Sequence, residues 1–597
     1  MKLNKFKIIA PAAALLLSAS LSSCMDDLNK GNIDPTVDAS PNITGLYSKC
    51  YAGLIMEGND GNADFSIDDA GKSTLLRNLF NFNEVPTDEA ACWWSDGGIE
   101  DVTKNKFEAG NATLKNLYYR LMSNISYENH FLSLDAAKAD KTKYAEVRVL
   151  RAYSYFLMLD FFGDPTFIDK ISPETPRQAH SYNSKFEEGK SYTRAELLQL
   201  GREFLFNWVK DELLTAEPDL LEAKPETDSD PDYGRIDKGT CWLLLSRLYL
   251  NAGTYLNNDG QNNPYWDKAL EYAENVINSD YKLFDDSKMS NEAKANGYKP
   301  YDLLFMGDNG SNGASCEALL PLMQDGDKTQ GWGGSMFYVA ALWDATMQTV
   351  TAKDAATTAN TWSGMRVRPQ FVEKFFADPS VVVNKSAKEI RDMNVDDRAI
   401  LWGKGNSDGD RTLELGANDK FVKGIATPKW NNNYSNGGTP HDSYNVDIDF
   451  FLFRVAEAYL NAAEAEMHIN GESSPKAKKY IDALRNRAHA ALRVSYTLND
   501  VLDERSRELY CEGLRRTDLI RFNQFGGSQA TYNWELKGGS TNGTTFAKTN
   551  NVYPLPSICV KFLLERTSED GRGYTLLVLA KVVPLVLPPL SSQLYVA

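Results

Sequence analysis

Apolar side chains recur at three- and four-residue spacing in several blocks of this chain, which places them on one face of a helix. Val149, Ala152, Phe156 and Leu159 form one stripe, preceded by Arg148 and stopped by Phe162-Gly163-Asp164-Pro165. Leu244, Leu245, Leu248, Tyr249 and Ala252 form a second, ending at Gly253, and Leu452, Val455, Ala456, Tyr459, Leu460 and Ala463 a third. The spacing predicts helices in neighbouring pairs: about 113–138 with 141–162, about 195–215 with 236–255, and about 450–469 with 475–490. A further helix is predicted over 500–523. Ala152, Ala252, Ala456 and Ala463 lie inside the stripes, where small residues let paired helices approach closely. The expected fold is mainly α: a tetratricopeptide-like scaffold of helical hairpins without a strict period, in one large domain.

Between the stripes the pattern changes. Residues 60–112, 285–365 and 400–446 are rich in Gly, Asn, Asp, Ser and aromatics, and include Gly331-Trp332-Gly333-Gly334, Asn431-Asn432-Asn433 and Gly437-Gly438. Aromatics scattered through polar, glycine-rich segments read as long ordered loops with short strands rather than linkers. Function is expected on this irregular face.

The N-terminus reads as a processing signal covering 1–23. Lys2, Lys5 and Lys7 precede the apolar stretch Ile8 to Leu21, which is too short to span a bilayer comfortably, and Leu21-Ser22-Ser23-Cys24 resembles the bacterial lipobox. Cleavage before Cys24 leaves a thiol that can carry a diacylglyceryl group, which anchors a protein without spanning the membrane. Removing the signal takes the formal charge from −17 to −20. Asp26 and Asp27 follow the anchor and resemble the surface-export signal of Bacteroidetes lipoproteins; a solvated acidic linker is the alternative. Of the 597 residues, 42% are apolar, 24% charged and 11% aromatic, enough to bury a large core. The acidic balance argues against nucleic acid as a partner. None of the seven cysteines forms a CxxC pair or a metal-ligand spacing. Cys241 and Cys511 fall within helical patterns, as small buried residues.

Catalytic motifs are missing. With five histidines there is no HExxH, no GxSxG elbow, no Walker loop and no GxGxxG opening a helix. A glycosidase needs two carboxyl groups about 5–10 Å apart, a spacing that some of the 81 acidic residues would meet by chance. In the 500–523 segment, Arg505 with Glu508 and Glu512 with Arg516 stand three and four apart, spacings that meet on a helix surface. They read as a structural ion network between packed helices.

Several of these segments, taken in order, resemble the SusD/RagB family of outer-membrane nutrient-binding lipoproteins. The residues that carry the resemblance are Asn83-Glu84-Val85-Pro86-Thr87-Asp88-Glu89; Arg148-Val149-Leu150-Arg151-Ala152 with Phe162-Gly163-Asp164-Pro165; Tyr233-Gly234-Arg235-Ile236-Asp237 leading into Leu245 to Ala252; Arg454-Val455-Ala456-Glu457-Ala458-Tyr459-Leu460 with Leu484-Arg485-Asn486-Arg487; and Glu504 to Phe522. The likeness covers about 24–557. It implies a non-catalytic, lipid-anchored protein on the cell surface at the outer membrane. Such a protein sits over a SusC-like TonB-dependent transporter, captures oligosaccharide and passes it on for import, with no cofactor required.

The family's starch-binding archetype carries an arc of aromatics and an arginine, and the resemblance places these at Trp332, Trp362 and Arg77. The third arc position is Cys92, with Trp93 and Trp94 beside it, and a polar partner a few residues on becomes Gly97. Glycine-flanked Trp332 reads as exposed, with little to pack against, and Trp343 in Ala340-Ala341-Leu342-Trp343 as core. Asp447 and Asp449, just before the 450–469 helix, offer oxygen ligands for calcium, as in some relatives; contact with a helix N-terminus is the alternative. Asn550 to Pro556 resembles the family's closing segment, but 558–597 does not. There Pro584, Pro588 and Pro589 interrupt a Leu/Val run, which reads as a shifted frame, with a membrane-binding tail as the alternative. Two other functions stay open: a surface glycosidase, and a transporter lid for a nutrient that is not a glycan.

Overall fold

The computed structural model describes residues 42–57, 70–172, 176–353, 360–416, 420–539 and 546–557. Cys24, the signal segment and the 558–597 tail lie outside the described residues. The chain divides into two compact units, 1–46 and 47–597. Of the first, 42–46 are described; they open a helix, Ile43–Ala52, in which Asn42 Oδ1 accepts from Gly45 N at 2.8 Å. The rest concerns the second unit.

The helices that build its scaffold and its site are, in chain order, α1 (Leu75–Asn83), α2 (Ala112–Ser133), α3 (Lys141–Phe162), α4 (Arg194–Ala216), α5 (Lys238–Leu250), α6 (Trp266–Asn278), α7 (Ser335–Leu342), α8 (Val455–Asn470), α9 (Pro475–Arg487), α10 (Leu498–Leu509) and α11 (Arg515–Arg521). Their starts follow local chemistry. The side chains of Asn111, Asp140, Asp237 and Ser474 each accept from a backbone N–H of the first turn, and Thr193 with Glu196 and Thr497 with Asp500 form reciprocal capping boxes. Helix α3 ends at Gly163, whose φ of 70° suits glycine, and α8 at Gly471, φ 85°. The predicted hairpins α2/α3 and α8/α9 form. The third pairing differs: α4 packs chiefly on α3, while α5 packs on α6, which in turn packs on α8. The α5 stripe also breaks at Asn251, and Gly253 sits inside a further short helix, Ala252–Asn257.

Among the described residues, six short strands make three antiparallel pairs: β1 (Ala90–Cys92) with β5 (Met365–Val367), β2 (Thr166–Phe167) with β3 (Arg177–Gln178), and β4 (Ala318–Leu322) with β6 (Phe450–Arg454). Strand β6 corrects the predicted helix start at 450. Phe450 to Arg454 are all buried and pair with β4, so the helix begins at Val455. Two further expectations change. The 60–112 segment is not loop throughout, because every residue of α1 is buried. The 500–523 helix is two helices, separated by a turn in which Cys511 and Gly513 take φ of 58° and 81°. Cys511 is buried, but in that turn rather than in a helix. Cys50, Cys92, Cys241, Cys316 and Cys511 are free thiols.

Neither local pair that the spacing suggested forms: the turn separates Glu512 from Arg516, and Arg505 and Glu508, though on one helix, pair with residues elsewhere. Glu512 meets Arg454 at 2.7 Å and Lys429 at 2.8 Å, Arg505 meets Asp518 at 2.8 Å, and Arg516 meets Asp160 at 3.4 Å. Arg454 also reaches Glu317 at 2.6 Å and Glu508 at 3.0 Å. Glu508 further binds Arg487 and, at 3.2 Å, Arg398. All of these side chains are buried. Burial would raise the Glu508 carboxyl, but Arg487, Arg454 and Arg398 outweigh it and hold the group at about 2. The structural ion network expected here is present, built from long-range partners.

Candidate functional site

The antiparallel β1–β5 pair sets Cys92 opposite Met365. The residues just after β1 therefore face those just before β5, which brings Trp93 and Trp94 to Trp362, Ser363 and Gly364. The indole N–H of Trp93 donates to Ser363 O, and that of Trp94 donates to Trp362 O at 3.2 Å. The 362–364 backbone is fixed from the other side as well. Its three N–H groups donate to Ala340 O, Trp343 O and Ala341 O at 2.7, 2.9 and 2.8 Å, so carbonyls left over at the end of α7 are satisfied. A Cβ at Gly364 would stand 2.2 Å from the Trp94 ring, so only glycine permits this approach.

Trp332 arrives from a different loop. Its N–H donates to Glu57 Oε2 at 2.7 Å, and a Cβ on the neighbouring Gly333 would stand 2.0 Å from Thr74 Cγ2. Three rings result in series. Trp94 and Trp362 have centroids 6.4 Å apart at 51°, and Trp362 and Trp332 have centroids 6.1 Å apart at 48°. Trp332 is 49% exposed, while Trp94 and Trp362 are partly buried. Trp332 thus has a neighbour to pack against in Trp362, unlike the isolated ring expected from its glycines.

Arg77 sits behind the array on α1 and is buried. Its guanidinium lies 5.4 Å from the ring centres of both Trp94 and Phe337, and its Nη2 donates to Asp96 Oδ2 at 2.8 Å. Lys72 reaches the same carboxylate at 3.5 Å. Phe337 meets the edge of Trp94 at 6.3 Å. The sequence reading omitted Phe337 and Asp96. Asp96 could have been found as an acid two residues past Trp94, whereas the packing of Phe337 has no local signal. Cys92 is buried in β1, and burial pushes its thiol up to about 12. Trp343 is core, with its N–H on Trp430 O at 2.7 Å.

Such a surface offers staggered, partly open π faces with an Arg–Asp–Lys group at one side. Sugar rings present C–H faces to aromatics and hydroxyls to a few directed polar groups, so this chemistry suits a saccharide.

Asp447 and Asp449 lead into strand β6 rather than a helix, which removes the helix-terminus alternative. Asp447 Oδ1 accepts from Gly326 N at 2.8 Å and Oδ2 from Tyr434 Oη at 3.1 Å. Together with Asp325 and His441 it forms a group whose potential metal-ligand atoms lie within 4.8 Å of one another. Asp449 is not in that group: its carboxylate accepts from Tyr233 Oη at 2.7 Å and Gln324 N at 2.8 Å. Burial raises it to about 7. The imidazole in the donor set fits calcium, which prefers oxygen throughout, less well than it fits a softer ion.

Residues 401–557 match the model of the SusD family. The chain is 33% identical to the starch-binding protein SusD of Bacteroides thetaiotaomicron, over 96% of this chain and 100% of that protein. A SusD superfamily protein from Parabacteroides distasonis superposes with a TM-score of 0.59 at 16% identity, covering 90% of this chain and 100% of the other. Surface glycan-binding protein A of B. thetaiotaomicron, solved with laminarihexaose, gives 0.56 at 16% identity over 87% and 97%.

Proposed function

This chain belongs to the SusD family, and on that premise we propose that it is a glycan-binding protein whose Trp94–Trp362–Trp332 array receives an oligosaccharide. The observation that carries this reading is the array itself: three tryptophans from separate segments, held at 48° and 51° to each other and partly open to solvent. Core tryptophans such as Trp343 have no such opening. A starch-type α-glucan is the ligand class we favour, supported by the 33% identity to a starch-binding relative over nearly the whole chain. The protein acts by binding alone and requires no cofactor. It is anchored in the outer membrane through Cys24, faces the outside, and hands its glycan to a TonB-dependent transporter.

Calorimetry of the mature chain against maltoheptaose, laminarihexaose, xylan, mannan and fructan tests the reading, alongside an assay for new reducing ends. We expect binding, with maltoheptaose preferred and no turnover. Absence of binding to every glycan overturns the glycan reading, and turnover overturns the non-catalytic one. For the anchor, the test is fractionation of Cys24→Ala expressed without a transporter: sedimentation with outer membranes would refute it. Pull-down from native membranes that brings no large β-barrel partner would refute the transporter.

A further inference from the structure

We propose that Tyr444 forms an outer glycan contact beyond the tryptophan array, one that favours long over short oligosaccharides. The inference rests on the array being the glycan site. Tyr444 is a large aromatic, 58% exposed, in a polar loop. Its loop is tied to the segments that carry Trp362 and Trp332. Asn360, two residues before Trp362, donates from Nδ2 to Tyr444 O at 2.8 Å. On the other side, the 325–334 segment that carries Trp332 is joined to the same loop through Gly326, whose N–H donates to Asp447 Oδ1 at 2.8 Å. A Cβ at Gly326 would stand 3.0 Å from Asp442 Cβ, so the two backbones are in close contact.

The loop is also held locally. Asp442 Oδ1 accepts from Tyr444 N at 2.8 Å and Asn445 N at 2.7 Å, a turn stabilised by its own side chain. A ring presented on a fixed turn loses little further freedom on binding, which is the condition under which an exposed aromatic contributes to affinity. Asn360 and Trp362 are at most about 7 Å apart along the chain. A saccharide lying across Trp332, Trp362 and Trp94 that continues past the array on the Asn360 side therefore runs toward the loop that carries Tyr444. A short one, filling only the array, does not.

The test is calorimetry of the full mature chain with maltotriose and maltoheptaose. Tyr444→Ala should weaken maltoheptaose about 3- to 10-fold, the scale of one aromatic contact, and leave maltotriose within about 2-fold. Tyr444→Phe should restore most of the loss, because the ring face makes the contact. If Tyr444→Ala binds maltoheptaose as tightly as wild type, or weakens both sugars equally, the outer contact is refuted. The Trp332→Ala/Trp362→Ala pair separates this from failure of the site itself. Loss of both sugars in that pair keeps the array as the site, whatever Tyr444 does. Retention of both removes the array and the outer contact together. Circular dichroism identical to wild type is required of each variant; a Tyr444→Ala chain that misfolds would refute the assignment of this side chain to a surface role.

Discussion

The joint around Arg454 and the tryptophan array are both assembled from distant segments, yet they are built on opposite principles. At the joint, charges are buried and every partner is fixed. Arg454, Arg487 and Arg398 share Glu317, Glu504 and Glu508, and all six side chains are almost fully enclosed. At the array, apolar rings are left partly in water, with only their indole N–H groups and backbones tied down. Enclosed charge is costly unless paired, so the joint tolerates no vacancy. Exposed rings contribute little to folding, so the array can be altered while the scaffold stands. Stability and binding should therefore separate by location.

The sharpest way to break that separation is at Glu508. Glu508→Ala leaves Arg454, Arg487 and Arg398 buried with too few carboxylates and should cost about 3–5 kcal/mol of stability. Equilibrium urea denaturation reads this as a lower midpoint, with binding by the remaining folded protein unchanged. The pH dependence gives the same comparison without a cavity. The Glu508 and Glu504 carboxyls are held at about 2, below the unfolded range near 4.5. A depressed folded value means that the stabilisation is fully present above about pH 4.5 and is lost as pH falls toward 2. Wild type should therefore lose stability steeply in that window, and Glu508→Ala should show a shallower acid limb. Equal limbs in the two proteins would remove the joint from the account.

The array is the next test, with a smaller effect. Trp332→Ala with Trp362→Ala removes two of three rings, each worth about 0.5–1.5 kcal/mol, and should weaken the best glycan by about 5- to 100-fold. Its denaturation midpoint should move far less than that of Glu508→Ala, because Trp332 is half exposed and Trp362 only partly buried. A large drop in stability with intact affinity would reverse the assignment and make these rings core.

The same comparison explains what the sequence made legible. Helices α2, α3, α8 and α9 were readable because their signals are local: a stripe at helical spacing, a capping side chain, a glycine stop. Strand β6 was misread because Phe450-Phe451-Leu452-Phe453 is apolar at every position and merges with the stripe that follows; only its pairing with β4, far away in sequence, makes it a strand. The break at 510–514 carried a signal in Gly513 that helical spacing alone overrode. At the candidate site, the residue types were readable and the arrangement was not. Trp94 and Trp362 are 268 positions apart, and their juxtaposition follows from the β1–β5 register. No periodicity reports a register between strands so distant. Cys92 and its neighbours follow the same rule: Cys92 lies inside the paired strand and is buried, while Trp93 and Trp94 just beyond it are only partly so.

Arg77 gives the finest discrimination, because it belongs to both regimes. Its side chain is buried like those of the joint, yet its guanidinium lies against Trp94 and its carboxylate partner Asp96 is about a third exposed. The resemblance places it beside the aromatic arc, and its contacts in the fold allow two roles: a support behind Trp94 or a direct donor to sugar hydroxyls. Arg77→Met keeps an unbranched apolar stem of similar reach and removes the charge, so Trp94 loses its cationic backing while the packing is largely kept. Asp96 is about a third exposed and can be hydrated once its partner is gone, so we expect a midpoint near that of wild type and a glycan affinity reduced about 2- to 5-fold. Measuring Arg77→Met again on a Trp94→Ala background separates the two roles. If Arg77 acts through the ring, its effect on affinity vanishes once the ring is gone; if it binds the sugar directly, the loss persists undiminished.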